Sequence, residues 1–281
     1  MAITHHQHSG AALSPSRLKD FLNCPLKFRY RMIDQLPEPP SPAALRGTLV
    51  HSVLEHLFDY SPQQRTEKTA QDTLIPRWES YVSEHPDAPA MFSTTADLTT
   101  WLESARPLIH SYFLLEQPQN LEPIGREKYV RTHLASGITI HGFIDRIDQA
   151  PNGALRVIDY KTGKSPAPRF QEEYLFQMMF YAAALLHQDK KLPARTQLIF
   201  LKDAKILTYD PTQHDIATLE AQVNRTWADI KQRLNSGIFE PQRNKLCDWC
   251  YFHDACPAFG GNVPPIPEDR VAYVLTVERA S

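Results

Sequence analysis

Two acidic stretches on either side of a tight turn constrain this chain more than any other feature. They read G-F-I-D-R-I-D at 142–148 and V-I-D-Y-K-T-G at 157–163, and P-N-G lies between them. Both alternate as strands do, and Pro-Asn-Gly favours a tight turn between strands. Residues two apart on a strand share a face. We therefore expect Asp159 and Lys161 to project together, with Asp145 able to meet them from the preceding strand.

The surroundings of these acids make a metal site the leading hypothesis. Isoleucine, valine and phenylalanine flank them, and a carboxylate buried among such residues is costly without compensation. An isolated Asp-x-Lys is usually a solvated pair, so this motif alone leaves that interpretation open. Neighbouring carboxylates are stabilised by a cation between them, and a hard divalent ion such as Mg²⁺ prefers oxygen ligands. A lysine nearby can orient a water or stabilise charge on a phosphate.

The order of elements predicts an α/β or α+β fold with a mixed sheet. Helical patterns dominate before residue 120, and strand patterns then alternate with two long helices. We predict strands near 124–134, 138–149, 155–160, 196–201 and 206–209, and helices near 42–58, 170–186 and 215–234. The expected organisation is a disordered tail at 1–12, one domain at 13–260 and a C-terminal tail at 261–281. Within the domain we expect a helical insertion at 62–120 and a cysteine-rich segment at 240–260.

Composition limits the partners and the compartment. The net charge of −2 gives no overall attraction to nucleic acid, so a phosphate-binding surface would have to be a local patch. No stretch approaches the roughly 18 apolar residues of a membrane span, and no secretory signal is visible. We therefore expect a cytoplasmic protein that does not bind a membrane.

The four cysteines are expected to share one metal site, because cytoplasmic thiols stay reduced. They are Cys24, Cys247, Cys250 and Cys256. Thiolates suit Zn²⁺ or an iron–sulfur cluster. A zinc ribbon normally has two C-x-x-C pairs, and this sequence has one.

Two helical patterns add further candidates by their spacing. His51 lies four residues after Gly47 and four before Glu55, so the three share a helix face and Glu55 could orient the imidazole. Gln177 and Tyr181 share a face in the same way. A lone helical histidine is more often structural, and a helical tyrosine is often a core residue, so spacing alone does not decide their roles.

Taken in order, the motifs resemble the RecB-like branch of the PD-(D/E)xK nuclease superfamily. That branch includes the nuclease domains of RecB and AddB and the CRISPR adaptation nucleases. The resemblance runs from Leu13 to Pro257. Its elements here are S-P-S-R-L-K-D-F-L-N-C-P-L-K-F-R-Y at 14–30, G-x-x-x-H at 47–51, G-F-I-D at 142–145, D-Y-K-T-G at 159–163, Q-x-x-x-Y at 177–181 and C-x₂-C-x₅-C at 247–256.

The resemblance implies a restriction-endonuclease-like core, a mixed sheet flanked by helices. It implies that Mg²⁺ or Mn²⁺ is bound by three side chains and one backbone carbonyl, those of His51, Asp145, Asp159 and Tyr160. Lys161 would help to activate the attacking water, and Gln177 and Tyr181 would complete the catalytic set. Glu127 matches a further acidic position and is expected to support the metal ligands from outside.

The resemblance also favours a [4Fe–4S] cluster over zinc, with free or disulfide-bonded thiols third. In AddB-like nucleases a distant cysteine and a C-terminal group hold such a cluster. Here it would staple the N-terminal helical region to the C-terminus through Cys24.

Basic side chains near aromatic residues are candidates for DNA contacts, since cations neutralise phosphates and rings stack on bases. The segment P-L-K-F-R-Y-R at 25–31 has both types, although solvated charges around a buried Phe28 would read the same way. The basic candidates are Lys27, Arg29, Arg31, Arg146, Lys164 and Arg169.

The sequence therefore predicts a metal-dependent DNA nuclease acting in repair or recombination, with a single-strand exonuclease favoured and DNA with free ends as the partner. Residues 162–165 read T-G-K-S, but the first glycine of a P-loop would be Ile158, so a helicase partner would be a separate chain. The alternatives are a non-catalytic iron–sulfur DNA-binding subunit of a helicase–nuclease complex, a CRISPR spacer-adaptation nuclease, and an RNA or small-substrate hydrolase.

Overall fold

A computed structural model describes residues 10–279 of the chain. The order of its elements follows the predicted pattern of helices, then strands, then helices among strands. The helices are α1 (Pro15–Asn23), α2 (Pro25–Met32), α3 (Pro42–Leu57), α4 (Glu67–Glu84), α5 (Thr95–Glu103), α6 (Arg106–Leu115), α7 (Glu172–Asp189), α8 (Gln213–Ser236) and α9 (Glu268–Leu275). The strands are β1 (Pro123–His133), β2 (Thr139–Gln149), β3 (Leu155–Lys161), β4 (Arg195–Phe200) and β5 (Lys205–Tyr209).

The strands form a five-stranded sheet in the order β1-β2-β3-β4-β5. Strands β3 and β4 are parallel and the other neighbours are antiparallel. A parallel pair needs a long crossover, and α7 supplies it. The turn between β2 and β3 uses Gly153 at φ +83°, a conformation that glycine adopts without strain. The predicted α/β fold with a mixed sheet is confirmed.

Helical layers cover both faces of the sheet, and β3 alternates between them. Val157 faces the core formed with α1, α2, α7 and α8. Ile158 and Tyr160 face a second core formed with α3, α4 and α6. Asp159 and Lys161 therefore point away from Tyr160, towards the α7 side. This alternation places the Asp159 carboxylate and the Lys161 ammonium on the opposite face of β3 from the Tyr160 ring.

The helical insertion expected at 62–120 contains α4, α5 and α6, which pack against α3. Its core includes Leu74, Trp78, Ile109 and Tyr112, all buried. None of the helices in the described part of the chain is both long and apolar enough to cross a membrane.

Both ends of the described chain are packed, which differs from the tails expected at 1–12 and 261–281. Ala11 and Ala12 are buried, and the Ala11 N–H donates to Thr276 Oγ1 over 2.7 Å. Val274 and Val277 of the C-terminal segment are also buried. Apolar residues at these positions cover the α8 side of the sheet, so they order the segments that carry them. Residues 1–9, 280 and 281 lie outside the described residues.

A buried arginine ties the second core to the sheet. The side chain of Arg146 is 1% exposed and forms ion pairs with Glu116 at 2.8 Å and Asp148 at 3.0 Å. Its guanidinium also donates to the hydroxyls of Tyr160 at 2.5 Å and Tyr112 at 3.2 Å. The expectation that Arg146 contacts phosphate is therefore wrong, because burial and these partners use its donors inside the fold.

Replacing Arg146 with leucine should destabilise the protein strongly, because two buried carboxylates would lose this partner. Arg156, which also pairs with both acids, should offset part of the cost. We expect a loss of about 3 kcal/mol in the free energy of unfolding, measured by urea denaturation. Arg195→Leu is the matched control, since that arginine is exposed on β4. Equal unfolding midpoints for the two variants would contradict this interpretation of the network.

Candidate active site

Strands β2 and β3 and helices α3 and α7 bring the predicted residues to one corner of the sheet. His51 of α3 has its Nδ1 3.4 Å from Asp145 Oδ2 of β2. The same carboxylate oxygen accepts the backbone N–H of Tyr160 over 2.6 Å. This bond fixes the Asp145 carboxylate beside the end of β3.

Asp159 is held from the other side. Its Oδ2 lies 2.5 Å from Lys161 Nζ, and its Oδ1 accepts a hydrogen bond from Gln177 Nε2 over 2.9 Å. The same amide group donates to the Tyr181 hydroxyl over 3.0 Å. The helix face predicted for Gln177 and Tyr181 therefore contacts the acid directly.

Two glycines let the elements approach this closely. A Cβ on Gly142 of β2 would lie 2.9 Å from Cε1 of Tyr181, so glycine leaves room for the tyrosine ring over the strand. A Cβ on Gly47 of α3 would lie 3.3 Å from Thr162 Oγ1. The glycines of the G-F-I-D and G-x-x-x-H motifs thus bring α7 and α3 against the sheet.

Glu127 lies closer to the site than the sequence suggested. The β1–β2 pairing aligns Arg126 with Arg146 and Lys128 with Ile144, so Glu127 stands across from Asp145. Its φ of 42° is unusual for a residue other than glycine, and such strain is often found at functional sites. One donor atom from each of His51, Glu127 and Asp145 lies within 4.8 Å of the others. Strand alternation could have indicated the position, but the strained backbone leaves no trace in the sequence.

The crowded acids disturb each other's ionisation. Burial, with repulsion from Asp145, raises the pKa of Glu127 to about 7. Burial raises the pKa of Asp159 to about 6, although Lys161 opposes the shift. Burial disfavours a charged His51, but the carboxylates, chiefly Asp145, outweigh it and raise the pKa of the imidazole to about 9. A set of carboxylates that resists ionisation is one that a cation would stabilise.

These residues fit a hard divalent cation. Carboxylate oxygens with one imidazole are donors that Mg²⁺ or Mn²⁺ accepts, and no thiol lies among them. A cleft opens beside the site between α3 and the end of β3. Its lining includes Thr48, His51, Lys161, Thr162 and Lys164.

Of two supporting residues, Glu55 differs in placement from the expectation, whereas the role predicted for Tyr160 concerns only its backbone carbonyl. The Glu55 carboxylate lies 3.6 Å from His56 Nδ1, so it pairs with the neighbouring histidine and not with His51. Tyr160 turns its side chain into the core between the sheet and α6, with its ring 5.9 Å from that of His51.

The basic candidates divide into buried, paired and exposed groups. Arg29 is buried against Asp34 and the Pro264 carbonyl, so its expected phosphate contact is wrong for the same reason as that of Arg146. Lys27 and Arg31 both pair with Asp20. Lys164, which lines the cleft, and Arg169 are exposed.

The four cysteines gather where α1 meets the C-terminal segment, and no disulfide joins them. Burial, then the charges of the other three thiols, raises the pKa of Cys256, which is the pattern of a shared site. Backbone N–H groups donate to sulfur at 3.4 Å, from Gln242 to Cys24 and from Asn244 to Cys247. In the described part of the chain, no three of these sulfurs form a group within 4.8 Å of one another.

A sequence profile of the PD-(D/E)XK nuclease superfamily matches residues 12–257. The chain belongs to this superfamily. The resemblance drawn from its motifs is confirmed, and the converging His51, Asp145, Asp159 and Lys161 are its predicted active-site residues.

Two relatives and one solved structure show how far this similarity extends. The chain is 28% identical over 249 residues to a subunit of the ATP-dependent helicase/deoxyribonuclease of Streptococcus pyogenes, covering 85% of this chain and 22% of that protein. It therefore spans about a fifth of that relative's length. It is 25% identical to the Gene 69 protein of Mycobacterium phage D29, covering 88% of this chain and 96% of the phage protein. A crystal structure from Eubacterium rectale, described as a candidate exonuclease, shares the fold with a TM-score of 0.56, 16% identity and 91% coverage of both chains.

The titration of the site predicts how stability depends on pH. Folded Glu127 and Asp159 release their protons near pH 7 and 6, whereas the unfolded chain releases them near 4.5 and 3.8. Folded His51 keeps its proton to about pH 9 instead of 6.5. The native state holds more protons across this range, so without a divalent cation its stability should fall as pH rises from about 4.5 to 9.

Thermal unfolding in EDTA over this pH range measures the effect. Glu127→Gln should flatten the slope between pH 4.5 and 7, while Glu173→Gln, an exposed glutamate on α7, should not. Added Mn²⁺ should raise the melting temperature more at pH 8 than at pH 5, because the cation competes with protons. An unchanged slope in Glu127→Gln would contradict the electrostatic account.

Proposed function

We propose that this protein is a metal-dependent deoxyribonuclease that degrades single-stranded DNA from its ends. The observation that carries the proposal is the convergence of His51, Glu127, Asp145 and Asp159 beside Lys161 at an open cleft. A protein that only bound DNA would have no need of this set. The superfamily membership supports hydrolysis of a phosphodiester as the reaction.

Each side chain has a task that its surroundings support. His51 and Asp145 would hold the cation, with Asp159 and the backbone carbonyl of Tyr160. Glu127 would join this set, since its carboxylate lies within 4.8 Å of donor atoms of His51 and Asp145. A bound Mg²⁺ or Mn²⁺ would supply Lewis-acid stabilisation of the phosphate and would lower the pKa of a water.

Lys161 would position that water and stabilise charge on the phosphate. Its ion pair with Asp159 keeps the ammonium at the site, and burial strengthens its field there. Burial lowers the pKa of Lys161, but Asp159 outweighs this and raises it, so the lysine stays charged and acts as a cation, not as a base. Gln177 would orient Asp159, and Tyr181 would hold Gln177 in turn.

The choice of DNA rests on the relatives. The streptococcal relative is described as a subunit of a helicase/deoxyribonuclease, and the match covers 85% of this chain. A helicase or repair protein is the partner we propose, because the streptococcal relative is described as a subunit of a helicase/deoxyribonuclease. Cytoplasmic DNA would be its substrate.

We also propose that the four cysteines hold a [4Fe–4S] cluster. A zinc ion with Zn–S bonds of about 2.3 Å would bring its sulfurs to within roughly 4 Å of each other. The wider arrangement of these thiols supports a larger group. Backbone N–H groups directed at Cys24 and Cys247 are contacts that stabilise cluster thiolates. Because Cys24 lies between α1 and α2, the cluster would staple the N-terminal helices to the C-terminal segment.

The nuclease proposal is tested with anaerobically purified protein and 5′- and 3′-labelled single strands. Wild type should degrade a linear strand with Mg²⁺ or Mn²⁺, spare a circular strand and stop in EDTA. Asp159→Asn should lower the rate at least about 100-fold, because it weakens binding of the cation that stabilises the phosphate and removes the ion pair that holds Lys161. Asp210→Asn, an exposed acid paired with Arg195, is the control and should match wild type.

Calorimetric titration with Mn²⁺ gives a second readout, since Asp159→Asn should also weaken binding of the ion. An RNA strand of the same sequence tests the choice of sugar. DNA binding by wild type without cleavage in either metal would overturn the proposal in favour of a non-catalytic DNA-binding subunit. Cleavage of the circular strand would overturn the exonuclease assignment alone.

The cluster proposal predicts that Cys24→Ser loses the brown absorbance and most of the iron and sulfide of wild type. Opening so long a loop should also lower the melting temperature, with a cost on the order of 4 kcal/mol by analogy with a disulfide. Iron analysis and visible spectra measure the first effect. Zinc at one equivalent in wild type, without sulfide, would contradict it.

A further inference from the structure

An exposed aromatic residue stands just before α7. Phe170 ends the short turn Pro168–Phe170, and 58% of it is exposed. The Arg169 guanidinium lies over its ring, 4.7 Å from the centroid. Phe170 is not part of the apolar clusters of residues 10–279. Because the ring packs into none of these clusters and is largely exposed, it is available to contact a ligand.

Phe170 is in line with active-site residues on one face of α7. Phe170, Tyr174, Gln177 and Tyr181 follow each other at spacings of four, three and four, the spacing of neighbours on a helix. The turn continues into α7 through hydrogen bonds from Phe170 N–H to the Ala167 carbonyl and from Tyr174 N–H to the Gln171 carbonyl.

This face leads outwards from the reacting acid. Gln177 contacts Asp159, and Tyr174 lines the cleft with Lys161 and Lys164. At a rise of about 1.5 Å per residue, Phe170 is on the order of 10 Å from Gln177 along the helix axis. That length corresponds to about three nucleotides stacked at roughly 3.4 Å, or fewer when the strand is extended.

The chemistry of this pair matches an unpaired nucleotide. Any base can stack on an aromatic ring, and an arginine beside it can add a cation–π contact or neutralise a phosphate. A base inside a duplex has both faces covered by its neighbours, so a base that stacks on Phe170 must be unpaired or stand at the end of the strand.

We propose that Arg169 and Phe170 form a stacking platform for an unpaired base one to three nucleotides from the scissile phosphate. The platform would make the protein prefer single-stranded ends. This inference rests on the proposed function, because it takes the strand to lie in the cleft beside Asp159.

The test uses oligonucleotides that carry 2-aminopurine at successive positions from one end, with Ca²⁺ replacing Mg²⁺ to prevent turnover. With wild type, binding should quench the fluorescence of one or two adjacent positions. Phe170→Ala should remove that quenching and weaken binding of the single strand roughly 5- to 150-fold, the range found for loss of one stacked base. Phe170→Trp should retain both properties.

The matched control is Ile238→Ala, an isoleucine 60% exposed in the segment after α8, which should behave as wild type. Quenching and affinity that survive in Phe170→Ala would overturn the platform, as would failure of wild type to bind the single strand. Binding and quenching by wild type without cleavage in Mg²⁺ or Mn²⁺ would overturn the nuclease proposal and leave the platform supported.

Discussion

Repulsion among buried carboxylates is the constraint on which this site depends. Three acids and one imidazole meet where β1 and β2 lie beside the end of β3, and little water can separate their charges there. The fold holds them there with contacts that act on each acid separately. The Tyr160 N–H fixes Asp145, while Lys161 and Gln177 fix Asp159. The packing of the rest of the domain therefore offsets a repulsion between carboxylates that a bound cation would reduce.

A buried network and two apolar cores hold the strands of the site together against this repulsion. Arg146 joins Glu116, Asp148 and Tyr160 in one buried network directly beneath β3. Two apolar cores enclose the sheet from both faces, so the strands that carry the acids cannot move apart without exposing both. The strained backbone of Glu127 is tolerated in this setting because its neighbours on β1 remain paired with β2.

Much of this could be predicted from the sequence where the signal is local. Strand alternation gave Asp159 and Lys161 a common side, and helical spacing joined Gln177 to Tyr181. Burial was harder to predict, because it depends on segments distant in the chain. Arg29 and Arg146 look like any other basic residues until Asp34, Glu116 and Asp148 are brought against them. The packed segment after residue 260 and the approach of Glu127 are likewise products of tertiary contact that no local pattern encodes.

The two ends of the described chain lie side by side on the same strand. Ala11 bonds to Thr276, and the backbone around Thr139 of β2 pairs with both Leu13 and Val277. A chain that leaves the domain beside the point where it arrives can be spliced into a larger polypeptide, or cut and rejoined elsewhere, with little disturbance to its core. This property agrees with the two relatives: the chain matches about a fifth of the much longer streptococcal protein and nearly the whole of the phage protein.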